Sequence, residues 1–168
     1  MTIRSPLIAL FCLTFVNQSI AGGSSDRYVK QHLLPTGQVV VVAEGDLEPR
    51  SIGSYTVRVY SNDRPEYPTD DFVCGLVQSR DGSVENVIFA DVDRDSIKEI
   101  IVTIRSVGTG SYLSADAFAF KDKRLARIGA VSGLPKDADC VSALVNAIKK
   151  TPNKAPQGTA RKLADPQR

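Results

Sequence analysis

Closely spaced carboxylates are the first residues of this sequence whose types could do chemistry. Asp91, Asp93 and Asp95 occupy alternate positions, and Glu99 follows four residues later. Alternating acidic side chains in a turn gather the oxygen ligands of calcium loops. An EF-hand is excluded, because its sixth position, which must be glycine, is Ser96 here. The spacing favours a tight hairpin whose Asp side chains accept hydrogen bonds from backbone N–H groups, with a calcium site as the alternative.

A second segment is rich in glycine and hydroxyl side chains. It begins with an arginine, ends with an aromatic residue and directly follows an apolar run. Its residues of interest are Arg105, Ser106, Gly108, Thr109, Gly110, Ser111 and Tyr112. A phosphate-binding loop is strongly disfavoured, because the segment lacks the P-loop lysine and leads into a strand rather than a helix. A plain hairpin needs only two to five residues, so this loop is predicted to present its hydroxyl groups to a partner.

Composition argues against catalysis and against nucleic acid as a partner. His32 is the only histidine, so an enzyme would depend on carboxylates, and Asp70, Asp71, Asp91 and Asp93 have no spacing that defines an acid/base pair. Lys and Arg number 21 against 19 Asp and Glu, a net charge of +2. No long run of one sign indicates a nucleic-acid surface. The sequence therefore predicts a binding protein, with no cofactor other than the calcium alternative.

The first 21 residues have the features of a secretory signal peptide. Arg4 gives a basic start, residues 6–16 are apolar, and residues 19–21, Ser-Ile-Ala, suit a signal peptidase. The apolar run is shorter than the roughly 20 residues of a membrane span. We expect cleavage after Ala21, secretion, and a mature form with no membrane partner. One domain is predicted over residues 22–150, followed by a disordered tail over 151–168.

Short runs of alternating apolar and polar residues fill most of the mature chain and predict β-strands. These runs cover residues 38–43, 53–60, 72–78, 84–89, 98–105, 112–120 and 124–131. The run 98–105 is the most hydrophobic and is predicted to be central. Arg80-Asp81-Gly82-Ser83 is predicted to form a hairpin turn. Successive strands without intervening helices indicate an all-β fold, an antiparallel sandwich or barrel.

One short helix is predicted at the end of this domain. Apolar residues recur at helical spacing from Cys140 to Ile148, and Asp137 or Asp139 can cap the start. Removal of the signal peptide leaves two cysteines, Cys74 and Cys140. In an oxidising compartment this pair predicts one disulfide, which would join the helix to the sheet. Two free buried thiols are the alternative.

The glycine-rich loop resembles that of a known family, the periplasmic inhibitors of invertebrate-type (I-type) lysozyme, called PliI. The Ser-Gly-x-Tyr motif of that family is matched by Thr109-Gly110-Ser111-Tyr112, with threonine in place of serine. The resemblance extends through residues 43–55, 89–93 and 113–118. It implies a secreted periplasmic β-domain whose partner is a lysozyme. A homodimer is compatible with the sequence.

The resemblance also implies a mechanism. Lysozymes cleave glycan with two carboxyl groups that face each other across a cleft, and a narrow loop could enter that cleft. Thr109 would supply a hydroxyl, Tyr112 a phenol and stacking area, and Gly110 a close approach of the backbone. Arg105 or Arg127 would pair with acidic residues at the rim. A calcium-stabilised binding or adhesion module is the alternative function, and a carboxylate-dependent glycan hydrolase is the third.

Overall fold

A computed structural model describes residues 27–150 of the chain. The predicted signal peptide and the predicted tail lie outside these residues. The described part contains eight strands and one helix. They are β1 (Val29–Leu33), β2 (Val39–Glu44), β3 (Ile52–Tyr60), β4 (Phe72–Asp81), β5 (Ser83–Ala90), β6 (Glu99–Arg105), β7 (Leu113–Lys121), β8 (Arg124–Leu134) and α1 (Cys140–Lys150). Among these residues, no helix is long and apolar enough to cross a membrane.

The strands form two antiparallel sheets of four strands, in the orders β1-β2-β3-β4 and β5-β6-β7-β8. Each sheet is a meander, in which every strand pairs with its neighbour in sequence. The predicted all-β fold with one C-terminal helix is therefore confirmed. β1 is not among the predicted strands; it is an edge strand whose residues are mostly exposed.

The main core lies between the two sheets. Alternate residues of a strand point to the same face, and the apolar ones of both sheets face each other here. Val40, Val57 and Ile100 are fully buried there, and the ring of Tyr55 meets that of Phe118 edge-on, with 6.3 Å between the ring centroids. β6 is buried along nearly its whole length. The prediction that this strand is central is confirmed.

A second core lies on the outer face of the β5–β8 sheet, where α1 covers Ile101, Ala115 and Ala117. Leu144 of the helix is fully buried in it. The Asp139 carboxylate accepts the N–H groups of Val141 and Ser142 at 2.9 and 3.2 Å, so it caps the helix as one of the two predicted residues. These contacts fix α1 on the sheet.

The predicted hairpin turn at Arg80-Asp81-Gly82-Ser83 is wrong. β4 pairs with β3 and β5 pairs with β6, so the chain crosses at this point from one sheet to the other. Gly82 has a φ of +118°, and a Cβ there would come 2.1 Å from the carbonyl oxygen of Arg105. Gly82 therefore serves a corner between the sheets. Such a corner needs a glycine with positive φ, as many hairpin turns do.

The predicted disulfide is also wrong, because the structure has Cys74 and Cys140 as free thiols. Cys74 packs against the core between the sheets, whereas Cys140 belongs to the core beneath α1. The β5–β8 sheet separates the two cores. Burial raises the pKa of both thiols, which favours their neutral, unreactive form. The alternative of two free thiols is the one that the structure supports.

A buried arginine, Arg80, stabilises the corner at which the chain passes from the first sheet to the second. The Arg80 guanidinium donates hydrogen bonds to the carbonyls of Ser54, Arg50, Pro49 and Gly82, at 2.8 to 3.1 Å for the first three. Its side chain is fully buried and lies 3.8 Å from the equally buried carboxylate of Glu44. Glu44 in turn accepts the N–H of Val84, the second residue of β5, at 2.7 Å. This pair joins the first sheet to the beginning of the second.

Candidate functional site

The glycine-rich loop connects β6 to β7. We call residues 106–112 the recognition loop. Its ends are closed by a hydrogen bond from the Ser106 N–H to the Tyr112 carbonyl at 2.9 Å. Inside it, the Ser111 N–H donates to the Gly108 carbonyl at 3.3 Å, which forms a turn at the tip. Residues 107–110 are all exposed, so the loop extends from the sheet with Thr109 at its tip.

Two glycines shape this loop in different ways. Gly108 has a φ of +147°, which L-residues rarely adopt, so it needs glycine for its backbone conformation. Gly110 has the Tyr112 ring against its backbone, and a Cβ there would lie 2.3 Å from ring atom Cε2. Tyr112 as a whole remains 55% exposed. Tyr112 and Thr109 are therefore both accessible on the same short loop.

The two predicted supporting arginines are both engaged within the chain. Arg105, at the end of β6, donates to the Ser111 carbonyl at 2.9 Å and forms an ion pair with Glu85 at 2.8 Å. Arg127 forms an ion pair with Asp116 at 2.6 Å. These contacts hold the arginines against the sheet. Their predicted pairing with acidic residues of a partner stays a prediction.

A cleft of about 470 Å³ opens between the two sheets, on residues that include Ile104 and Ser114 at the base of the recognition loop. Asp116 lines this cleft, and its carboxylate accepts a hydrogen bond from the buried Tyr55 hydroxyl at 2.5 Å. Burial, and then the Asp116 charge, raise the pKa of Tyr55 far above its ordinary value. Sequence reasoning missed this bridge between β3 and β7, because the two residues are far apart in the chain.

The acidic hairpin, residues 91–99, connects β5 to β6. The Asp91 carboxylate accepts the N–H groups of Arg94 and Ser96 at 2.6 and 3.1 Å. Both of these residues have positive φ, +71° and +72°, and the carboxylate stabilises the tight backbone. The favoured interpretation, a hairpin with Asp side chains bonded to backbone N–H groups, is confirmed.

Three of the four predicted calcium ligands come together in this hairpin. Oxygen atoms of Asp91, Asp93 and Glu99 lie within 4.8 Å of one another. Asp95 is not part of this group, and its carboxylate accepts the Ile97 N–H at 2.8 Å. Glu99 is only 2% exposed, and burial raises its pKa above the ordinary value. Calcium binding here stays a prediction.

The carboxylates considered for a hydrolase do not form one group. Asp70 and Asp71 lie in the loop between β3 and β4, where both pair with Arg64, at 3.9 and 2.9 Å. Asp91 and Asp93 belong to the acidic hairpin instead. The four carboxylates therefore lie in two separate loops of the described chain. Their positions give the hydrolase hypothesis no support.

Comparison with known proteins identifies a family. Residues 26–148 match the family model PliI, described as periplasmic lysozyme inhibitor of I-type lysozyme. A crystal structure of PliI from Aeromonas hydrophila is 45% identical, with 69% of this chain and 98% of that chain covered and a TM-score of 0.65. A second structure, the A. hydrophila PliI in complex with Meretrix lusoria lysozyme, is 43% identical, with 74% and 99% covered and a TM-score of 0.67. A comparison with curated proteins gives no match.

Proposed function

The chain belongs to the PliI family of periplasmic lysozyme inhibitors, and we propose that it inhibits an I-type lysozyme by inserting the recognition loop into the catalytic cleft. As a member of this family it is a periplasmic protein that binds and inhibits lysozyme. We infer further that it acts without catalysis of its own. The remainder of the proposal concerns how the loop acts.

The chemistry of the target explains why such a loop inhibits. A lysozyme holds a protonated carboxylic acid and a carboxylate across a cleft that binds extended glycan. A protein that closes this cleft removes water from both groups, and an unpaired desolvated carboxyl group is costly. The hydroxyl groups of Thr109 and Tyr112 can donate hydrogen bonds to carboxylate oxygens. The loop then replaces the lost water and excludes the glycan.

The observation that carries the proposal is the shape of the recognition loop. It is closed at its base by the hydrogen bond from the Ser106 N–H to the Tyr112 carbonyl, and the residues of its tip are exposed. The Tyr112 ring is already packed on Gly110. A loop that is ordered before binding loses little conformational entropy in the complex. Replacement of the family's serine by Thr109 keeps the hydroxyl group and adds one methyl group.

The test is inhibition of an I-type lysozyme by the mature chain in a cell-wall lysis assay, with Thr109→Ala and Tyr112→Ala. Truncation of Tyr112 should cost about 2 kcal/mol or more of binding free energy, as for other interface anchors. Tyr67→Ala is the matched control, because Tyr67 is 58% exposed on another loop. Absence of inhibition by micromolar wild-type protein would overturn the function. Unchanged inhibition constants in both loop variants would overturn the role of the loop.

The alternative function, a calcium-stabilised binding module, depends on the acidic hairpin. The proximity of its Asp91, Asp93 and Glu99 oxygens is what favours it. Against it, Asp91 already accepts two backbone N–H groups, so this carboxylate is used by the hairpin itself. Calcium-dependent melting of the mature chain would support the alternative.

A further inference from the structure

We propose that Arg105 is a positioning residue, which holds the recognition loop in its binding conformation before lysozyme arrives. This inference rests on the proposed function, since it concerns the same loop. Arg105 is the last residue of β6, and its side chain is 33% exposed. It lies beside the loop and reaches three separate parts of the chain.

The Arg105 guanidinium uses all of its nitrogen atoms within the protein. Nη1 donates to the Ser111 carbonyl at 2.9 Å. Nε and Nη2 donate to one carboxylate oxygen of Glu85 on β5, at 3.0 and 2.8 Å. Nη1 and Nη2 also approach the Lys136 carbonyl, in the turn before α1, at 3.3 and 3.4 Å. One side chain thus connects the loop to a strand and to the segment that leads into the helix.

The carbonyl that Arg105 binds belongs to Ser111, a residue with an uncommon backbone conformation. Ser111 has a φ of +44°, a left-handed conformation that is uncommon for a residue other than glycine. Its carbonyl belongs to the peptide bond that leads into Tyr112. A fixed carbonyl therefore fixes the orientation of this peptide, and with it the placement of the Tyr112 ring on Gly110.

The Glu85 contact distinguishes bracing from direct recognition. An arginine that waits for an acidic residue of lysozyme would be expected to have a free face, whereas Arg105 already has a carboxylate partner at 2.8 Å. Lysine cannot reproduce this arrangement, because its single ammonium group lacks the planar fork that reaches several acceptors at once. Loss of the brace would leave the loop to be ordered during binding, which weakens affinity.

The experiment measures dissociation constants for an I-type lysozyme and amide exchange in the free mature chain, for Arg105→Lys and Glu85→Gln. Arg105→Lys should weaken binding about tenfold and Glu85→Gln about threefold, since the energy of ordering a loop is of this size. Both should speed exchange of the Ser106 and Ser111 N–H groups, with the exchange of β6 unchanged. Arg124→Lys, at the opposite end of the sheet, is the control.

Two outcomes would overturn the inference. One is an Arg105→Lys variant that binds as well as wild type while Tyr112→Ala loses affinity, because the proposed function would then stand without the brace. The other is weak binding by Arg105→Lys with unchanged loop exchange and unchanged or tighter binding by Glu85→Gln, which would mean that Arg105 contacts lysozyme directly. Failure of the wild-type chain to inhibit would instead overturn the proposed function itself.

Discussion

The aromatic ring of Tyr112 lies against the backbone of Gly110, so closely that a Cβ at position 110 would come 2.3 Å from ring atom Cε2. Both residues belong to the stretch Thr109-Gly110-Ser111-Tyr112 at the end of the recognition loop. The glycine is therefore required by a contact inside the inhibitor. Its backbone φ is not in the left-handed region, so steric contact is the reason for glycine here.

Gly110→Ala should weaken inhibition without unfolding the protein. The added methyl group displaces the Tyr112 ring from the Gly110 backbone, and a side chain that must be ordered again during binding costs about 1 kcal/mol. We expect the inhibition constant to rise severalfold, measured with an I-type lysozyme. Gly129→Ala is the matched control, because its Cβ would meet the Ile148 side chain at 2.7 Å. That variant should melt earlier and still inhibit, and equal inhibition by Gly110→Ala and wild type would contradict the expectation.

Arg80→Met should be strongly destabilising. It leaves the Glu44 carboxylate buried without its cation, and removal of one partner of a buried pair costs about 3–5 kcal/mol. Urea denaturation measures the effect as a lower free energy of unfolding. Arg64→Met is the control, since Arg64 pairs with Asp71 at the surface and exposed pairs contribute about 0–1 kcal/mol. A loss below about 1 kcal/mol for Arg80→Met would contradict the role of this residue.

Reducing agents should leave the melting temperature of the mature chain unchanged. Cys74 and Cys140 lie in separate cores on either side of a sheet, so no cross-link constrains the unfolded chain. Mass spectrometry after alkylation in denaturant, without reduction, should find both thiols modified. A chain that resists alkylation until it is reduced would show that the two cysteines are bonded.

The acidic hairpin should make stability depend on pH through Glu99. Burial, and next to it the charges of Asp93, Asp95 and Asp91, raise the pKa of Glu99, against the opposing effect of the Val92 N–H. A carboxyl group with a raised pKa in the folded state destabilises the fold when it is ionised. This cost is absent below the ordinary carboxyl pKa and grows as the pH rises through the folded value.

Glu99→Gln should therefore raise the melting temperature near pH 7, and the gain should vanish toward pH 4. The neutral amide can still accept the Val92 N–H. Glu66→Gln, in an exposed loop, is the control. Added calcium tests the alternative function, a calcium-stabilised module. If the hairpin binds calcium, the melting temperature of the wild-type chain rises with calcium, and Glu99→Gln abolishes the increase. A destabilised Glu99→Gln in calcium-free buffer would contradict the charge argument.

The fold could be predicted from sequence where local patterns decide it. Alternation along Ile100, Val102 and Ile104 marks a strand with a buried face, and the strand is indeed central. Turn chemistry is less informative. Gly82 allows a sharp change of direction, but only the pairing of the flanking strands determines whether the result is a hairpin or a corner between sheets.

The site could be predicted in part. Gly108 and Thr109 stand in a loop whose composition exceeds the needs of a turn, and that loop is exposed as expected. The contacts of Arg105 with Glu85 and with Lys136 join residues 20 and 31 positions apart, which no local pattern reveals. The cysteine pair shows the same limit, because even number and compartment do not tell which side of a sheet each thiol faces.

Competition kinetics test most directly whether the recognition loop occupies the catalytic cleft. An I-type lysozyme is assayed with a soluble oligosaccharide substrate at several concentrations, each titrated with the mature wild-type chain. If the loop fills the cleft, substrate and inhibitor exclude each other, and the apparent inhibition constant rises in proportion to substrate above the Michaelis constant. An apparent inhibition constant that does not change with substrate concentration would place the contact outside the cleft and contradict the account.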